Sequence, residues 1–259
     1  MEKAIIYQIF TRLFGNTNTT RKHNGTLTDN GCGKLNAFTP AVLHRIKELG
    51  ATHVWYTGVI RHATTTDYTR YGIPRQHPAV VKGNAGSPYA ITDYYDIDPD
   101  LATNVEKRMN EFESLVKRTH KAGLKMIIDF VPNHVARQYK STAKPKGIAD
   151  FGENDNTGMQ FSPQNNFYYC PEQSFAADID LYHGEELPYE EFPAKATGND
   201  CFGNRPGRND WYETVKLNYG VDYCDAGGVS THFSPTPDTW KKMLDILLFW
   251  AGKGVDAFR

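Results

Sequence analysis

The chain has 259 residues, 39% of them hydrophobic, with 29 basic against 30 acidic side chains and a formal charge of -1. That is enough apolar material for one sizeable core or two modest ones, and a charge too evenly mixed for a nucleic-acid surface, which needs a clustered basic excess. The opening residues lack the basic flank and apolar run of a secretory leader, and no stretch reaches the length of a membrane helix, so the reading is a cytoplasmic protein, or a secreted one whose leader has been removed.

Ala4 to Phe10, rich in Ile, Tyr and Phe, predicts a strand buried on both faces. A Gly- and Asn-rich loop follows from Gly15 to Gly33. Thr39 is placed to cap a helix with Pro40 at its first position; Val42, Leu43, Ile46 and Leu49 share one face and Gly50 ends it. Thr52 to Tyr56 predicts a second strand, followed by a long polar loop. Between Asn104 and Gly123 the residues Val105, Met109, Phe112, Leu115, Val116 and Thr119 recur at helical spacing, and Glu113 precedes Lys117 by four. Leu124 to Val131 predicts a third buried strand.

Residues 136–234 are crowded with Tyr, Phe, Asn, Gly and Pro and lack helical periodicity. A structureless loop of that length is implausible inside a compact domain, so the stretch reads as an inserted subdomain. Thr236 and Pro237 then open a helix that carries Trp240, Met243, Leu244, Leu247 and Leu248 inward and ends near Gly252, and a fourth strand begins at Val255. Strands alternating with helices imply an α/β fold with parallel pairing and right-handed crossovers. The chain thus divides into residues 1–135, 136–234 and 235–259. Cys32, Cys170, Cys201 and Cys224 form no C-x-x-C pair and read as free buried thiols. Asp178, Asp180 and His183 read as a solvated acidic turn.

Asp129-Phe130-Val131-Pro132-Asn133-His134, at the carboxyl end of the third strand, resembles the first signature of the alpha-amylase family of glycoside hydrolases. Gly254-Val255-Asp256-Ala257-Phe258-Arg259 is similar to the opening of that family's second signature. Ser87-Pro88-Tyr89-Ala90-Ile91-Thr92-Asp93-Tyr94-Tyr95 resembles the segment that supplies an aromatic platform for the sugar. The resemblance implies a (β/α)8 TIM barrel, of which this chain holds the first four strands, with a subdomain inserted after the third.

The resemblance also implies roles. Arg259 is the catalytic candidate, a fixed cation that holds a neighbouring nucleophile ionised. Tyr89 would stack on the sugar, His134 would donate to a sugar hydroxyl, and Asp129 would brace the array. The family's nucleophile is an Asp two residues beyond the position matched by Arg259, and its acid/base Glu and stabilising Asp lie on later strands. Many members bind Ca²⁺ through the Asn matching Asn133 and an acidic residue of the insertion. Asn218 takes that second place here, beside the cationic Lys216, whereas Ca²⁺ favours several anionic oxygens. The aromatic residues Trp211, Tyr212, Tyr219 and Tyr223 either line a glucan cleft or form the core of the insertion.

The function implied is retaining hydrolysis of α-glucosidic bonds, with α-1,4-glucan or maltooligosaccharide as substrate and no nucleic-acid or membrane partner. In such hydrolysis two carboxyl groups stand about 5–5.5 Å apart. On that reading the 259 residues alone are inactive. The alternatives are a transglycosylase or isomerase of the same family, and a catalytically inactive relative that binds carbohydrate or a partner protein.

Overall fold

The structure, a computed structural model, describes residues 3–182, 184 and 186–259. Four strands, β1 (Ile6–Phe10), β2 (His53–Thr57), β3 (Lys125–Ile128) and β4 (Ala257–Phe258), pair in chain order into one sheet. All three pairings are parallel: Ile9 lies opposite Tyr56, Trp55 opposite Ile127 and Ile128 opposite Phe258. Between successive strands run α1 (Pro40–Glu48), α2 (Arg108–Lys121) and α3 (Asp238–Gly252). This is the opening half of a (β/α)8 barrel, and it brings the carboxyl ends of all four strands to one rim.

The helices form where local chemistry favours them, but two of them turn differently from expectation. Thr39 caps α1 by accepting from the Val42 amide, Pro40 sits in the first turn, and Leu43 and Ile46 are buried. Leu49 is 70% exposed because it lies past the last turn, off the inner face. In α2, Phe112, Leu115, Val116 and Thr119 are buried as spaced, and Thr119 shares a 2.7 Å hydrogen bond with the Tyr56 hydroxyl on β2. The α3 face is rotated: Met243, Ile246 and Trp250 point inward, whereas Trp240, Leu244 and Leu248 are exposed. Trp250 sets this rotation, because its indole donates to the Tyr94 carbonyl at 2.8 Å and packs edge-on against Phe112. β1 is also less buried than predicted. It pairs with β2 alone, and Ile5, Ile6, Tyr7 and Phe10 are exposed.

The long polar loop after β2 contains two strands that the sequence reading lacks. Ile60–His62 pairs antiparallel with Ile91–Ile97, and every residue of both is buried. They read as polar because their charges are neutralised in pairs rather than solvated. Arg61 bridges Asp93 at 3.0 Å and Asp96 at 2.9 Å, Arg108 grips Asp96 from α2, and Asp98 meets His62 at 3.2 Å. Asp100 takes Arg12 and the Tyr68 hydroxyl, both at 2.6 Å.

The insertion is not a separate core. Phe151, Phe167, Tyr169, Val215 and Leu217 belong to the same apolar cluster as Ile97 and Leu115, and Cys170, Phe175 and Ala194 form a small satellite. Its strands are two or three residues long: His134–Ala136 with Thr214–Lys216, Tyr169–Cys170 with Ala194–Lys195, and Val221–Asp222 with Ser230–Thr231. Of the acidic turn, Asp178 pairs with Arg205 at 2.8 Å, and His183 lies outside the described residues. The four cysteines are free thiols, but only Cys32 and Cys170 are buried as expected; Cys201 is half-buried and Cys224, in the loop after the Val221–Asp222 strand, is exposed. No helix among the described residues is long and apolar enough to cross a membrane.

Candidate active site

Asp129 follows β3 directly and is buried. Its two oxygens are both engaged: one accepts from the Trp55 indole at 2.9 Å and the other from the Gly58 amide at 2.8 Å. Gly58, just past β2, adopts a positive φ of 77° that turns this amide toward Asp129, and a Cβ there would meet Pro88 at 2.9 Å. Burial raises the Asp129 carboxyl above its ordinary range, opposed by the Gly58 and Trp55 bonds and by the charge of Arg259.

Arg259 follows β4, and its backbone extends the ladder by donating to Ile128 at 3.0 Å and accepting from Phe130 at 2.8 Å. Its side chain is exposed and lies 5.1 Å from the centre of the Trp55 ring, close enough for a cation–π contact. Asp129 therefore fixes the indole on which Arg259 rests.

Tyr89 sits half-buried in the turn leading to the Ile91–Ile97 strand. Its phenol is raised by burial and then by the charge of Asp129, and it is lowered by that of Arg259. The Tyr89 backbone favours the charged form of the neighbouring His134 imidazole, against burial. His134 is buried, with Nδ1 3.1 Å from the Asn133 amide nitrogen and the ring 5.2 Å from that of Trp211 in an edge contact. Burial lowers its pKa to about 4, with Lys216 and Lys82 adding to the effect, so the ring is neutral near pH 7. Gly198 packs so closely that a Cβ would lie 2.8 Å from that of His134.

The turn from Val131 to His134 is held on all sides. The Tyr94 hydroxyl donates to the Val131 carbonyl and, at 3.3 Å, to that of His134. Tyr219 donates to Pro132 at 2.6 Å, the Leu217 amide to Asn133 at 3.0 Å, and the Asn133 side chain to Gly198 at 2.7 Å.

The fold thus brings Tyr89, Asp129, His134 and Arg259 to one rim. It does not join Asn133 and Asn218 in a metal site. Asn133 Oδ1 faces the Lys216 ammonium at 3.5 Å, and Asn218 is buried with its amide on Ser162 at 2.8 Å and its carbonyl on Gly220 at 2.8 Å. Among the described residues no three His, Cys, Asp or Glu side chains gather as metal ligands. This donor set does not fit Ca²⁺, which takes six to eight oxygens, several of them carboxylate.

Sequence reasoning missed Trp55, Tyr94, Gly198 and the contact of Trp211 with His134. Only Trp55 left a usable signal: it is the half-buried residue between the buried Val54 and Tyr56, which alternation assigns to the opposite face of β2. Trp211 and Tyr223 remain partly exposed, and Tyr219 is spent on the Pro132 carbonyl.

A family model of the alpha-amylase catalytic domain matches residues 8–259. The chain belongs to the alpha-amylase catalytic-domain family. Over its whole length it is 25% identical to the trehalose-6-phosphate hydrolase of Bacillus subtilis (strain 168), covering 34% of that protein. It is 24% identical to maltase A2 of Drosophila melanogaster, again over the whole chain and 35% of the relative. The crystal structure of an alpha-amylase from Lactobacillus plantarum superposes with a TM-score of 0.53 at 22% identity, over 99% of this chain and 37% of that one, a likeness of fold. The chain spans about a third of the length of the curated relatives it matches. In barrels of this kind functional side chains gather at the carboxyl ends of the strands, the rim on which these residues lie.

Proposed function

We propose that this chain supplies the first half of the catalytic barrel of a retaining glycoside hydrolase that cleaves α-glucosidic bonds, with α-1,4-linked glucan or maltooligosaccharide as substrate. The observation that carries this reading is the convergence of Tyr89, Asp129, His134 and Arg259 on one rim. Each is suited to a part of the work. Tyr89 offers a ring face to the apolar side of a pyranose. Arg259, exposed and seated on Trp55, favours the ionised form of a carboxylate placed beside it. Asp129 has both oxygens engaged, so it positions Trp55 and is no attacking group. His134, kept neutral by burial, would donate to a sugar hydroxyl.

The attacking carboxylate would be the residue two places beyond the position of Arg259, and the acid/base carboxyl would come from a later strand. Attack on the anomeric carbon breaks its bond to the leaving oxygen, which takes the acid's proton. Water, giving a proton back to the same acid/base carboxyl, then displaces the enzyme carboxylate with a second inversion, so the configuration is retained.

The test uses the 259-residue chain and a polypeptide extended through the remaining strands, each assayed with maltose, maltoheptaose and p-nitrophenyl α-glucoside. The extended form is expected to hydrolyse at least one of these, with the α-anomer as first product by ¹H NMR, and the shorter chain to show no turnover above buffer. First release of the β-anomer, or an extended form that turns over no α-glucoside, would overturn the proposal.

A further inference from the structure

We infer that Lys216 is a built-in cation that ties the inserted segment to the Asn133–His134 turn and makes the chain independent of calcium there. Lys216 is 7% exposed and ends the strand Thr214–Lys216, directly opposite His134 in the antiparallel register. Its ammonium meets three separate pieces of chain. It forms an ion pair with Asp200, faces Asn133 Oδ1 at 3.5 Å, and lies 5.4 Å from the centre of the Tyr223 ring.

Those three pieces are otherwise joined by little regular structure. Asp200 follows the Gly198 turn, whose carbonyl holds the Asn133 amide, and Tyr223 follows the short Val221–Asp222 strand. A positive charge at their junction gathers one carboxylate, one amide oxygen and one aromatic face, which is what a cross-linking metal ion would do. The donors, however, suit an ammonium and not a hard dication. An ammonium is satisfied by one anion, a neutral oxygen and a π face, whereas Ca²⁺ needs six to eight oxygens at about 2.3–2.6 Å. The fixed positive charge of Lys216 also repels a second cation from the same junction. Asn218, the other ligand the family resemblance implied, is turned away and satisfied by Ser162 and Gly220.

The experiment measures thermal unfolding of the chain in EDTA, in buffer and with added CaCl₂, together with calcium titration by calorimetry. The wild-type midpoint is expected to stay unchanged across the three conditions with no saturable calcium heat; a resident ion at a hundredfold its Kd would raise it by at least about 5 °C. Lys216→Met, which keeps the apolar stem and removes the charge, is expected to lower the midpoint in all three. Asp200→Asn, which keeps the size of its side chain, should lower it too, and in the double variant the two losses should not add. Saturable calcium binding by the wild type, or a midpoint that falls in EDTA, would overturn the inference. So would a Lys216→Met variant as stable as the wild type. If Lys216→Met does not fold, the wild-type comparison in EDTA and calcium still decides the calcium question, and Asp200→Asn decides the tie: an unchanged midpoint would overturn it.

Discussion

Replacing Arg61 by Met tests whether the charged hairpin behind the site is a buried structural unit. Its guanidinium is almost wholly buried and makes four contacts: Asp93 at 3.0 Å, Asp96 at 2.9 Å, Thr142 Oγ1 at 2.8 Å and the Lys140 carbonyl at 3.0 Å. Removing one partner of a buried ion pair costs about 3–5 kcal/mol, because the other charge is left without compensation. Here the remaining partners moderate the loss. Asp96 keeps the double grip of Arg108 at 2.7 and 2.8 Å, and Asp93 keeps four donors, from Tyr95, Ser141, Thr142 and Ala143. The lower end of that range, about 3 kcal/mol, is therefore expected, equivalent to a fall of about 6–12 °C in unfolding midpoint for a chain of this size. Urea unfolding of the wild type, Arg61→Met, Asp93→Asn and the double variant gives the pairwise coupling. The double variant should lose less than the sum of the two, since it removes charge from both sides. A loss under about 1 kcal/mol, the value of a solvated surface pair, would refute the assignment of this cluster as a desolvated anchor.

Gly198→Ala should destabilise by about 1–3 kcal/mol, as other overpacked sites do, because the new methyl would lie 2.5 Å from Thr214 Oγ1 and 2.8 Å from His134 Cβ. A His134 ring resonance shifted in the variant's NMR spectrum would place the disturbance, and an unshifted spectrum would count against the close approach. The insertion should also weaken in acid through Glu191. Burial raises this carboxyl, but Arg137 at 2.7 Å and Lys195 outweigh burial and hold it below the ordinary range. Its folded pKa is thus lower than its unfolded one, near 4.3, so the unfolded chain takes the proton first as pH falls. The stabilisation is present above that unfolded value and is lost as pH falls through the folded pKa. Urea midpoints of wild type and Glu191→Gln from pH 7 to 3 should converge at the acid end; parallel curves would contradict the depressed value.

The barrel elements were legible because their side chains follow the periods of regular structure. Thr39, Pro40, Leu43 and Ile46 mark α1, and Phe112, Leu115, Val116 and Thr119 mark α2, without help from the rest of the fold. The rotation of α3 was not legible. Trp240, Leu244 and Leu248 form as good an apolar stripe as Met243, Ile246 and Trp250, and the choice between them is made by the Trp250 indole reaching the carbonyl of Tyr94, 156 residues away in sequence. The Ile60–His62 and Ile91–Ile97 strands were missed for the opposite reason. Arg61, Asp93 and Asp96 look solvated one at a time and are buried only as a set. Tyr89, Asp129, His134 and Arg259 were singled out by short motifs, whereas Trp55, which touches both Asp129 and Arg259, belongs to none of them.

That contrast has a physical basis in where the rim residues sit. Asp129 and Arg259 follow strands of the main sheet, whereas Tyr89 lies in a turn and His134 opens the short strand His134–Ala136, outside that sheet. Their positions depend on polar ties of long sequence separation. Tyr94 and Tyr219 hold the backbone before His134, Asp93 binds the first residues of the insertion to the Ile91–Ile97 strand that Tyr89 precedes, and Lys216 closes the far side. Such ties are stronger where water is excluded, and Asp93, Lys216 and His134 are buried. A sequence profile that equates polarity with solvent will then read such buried polar segments as loop.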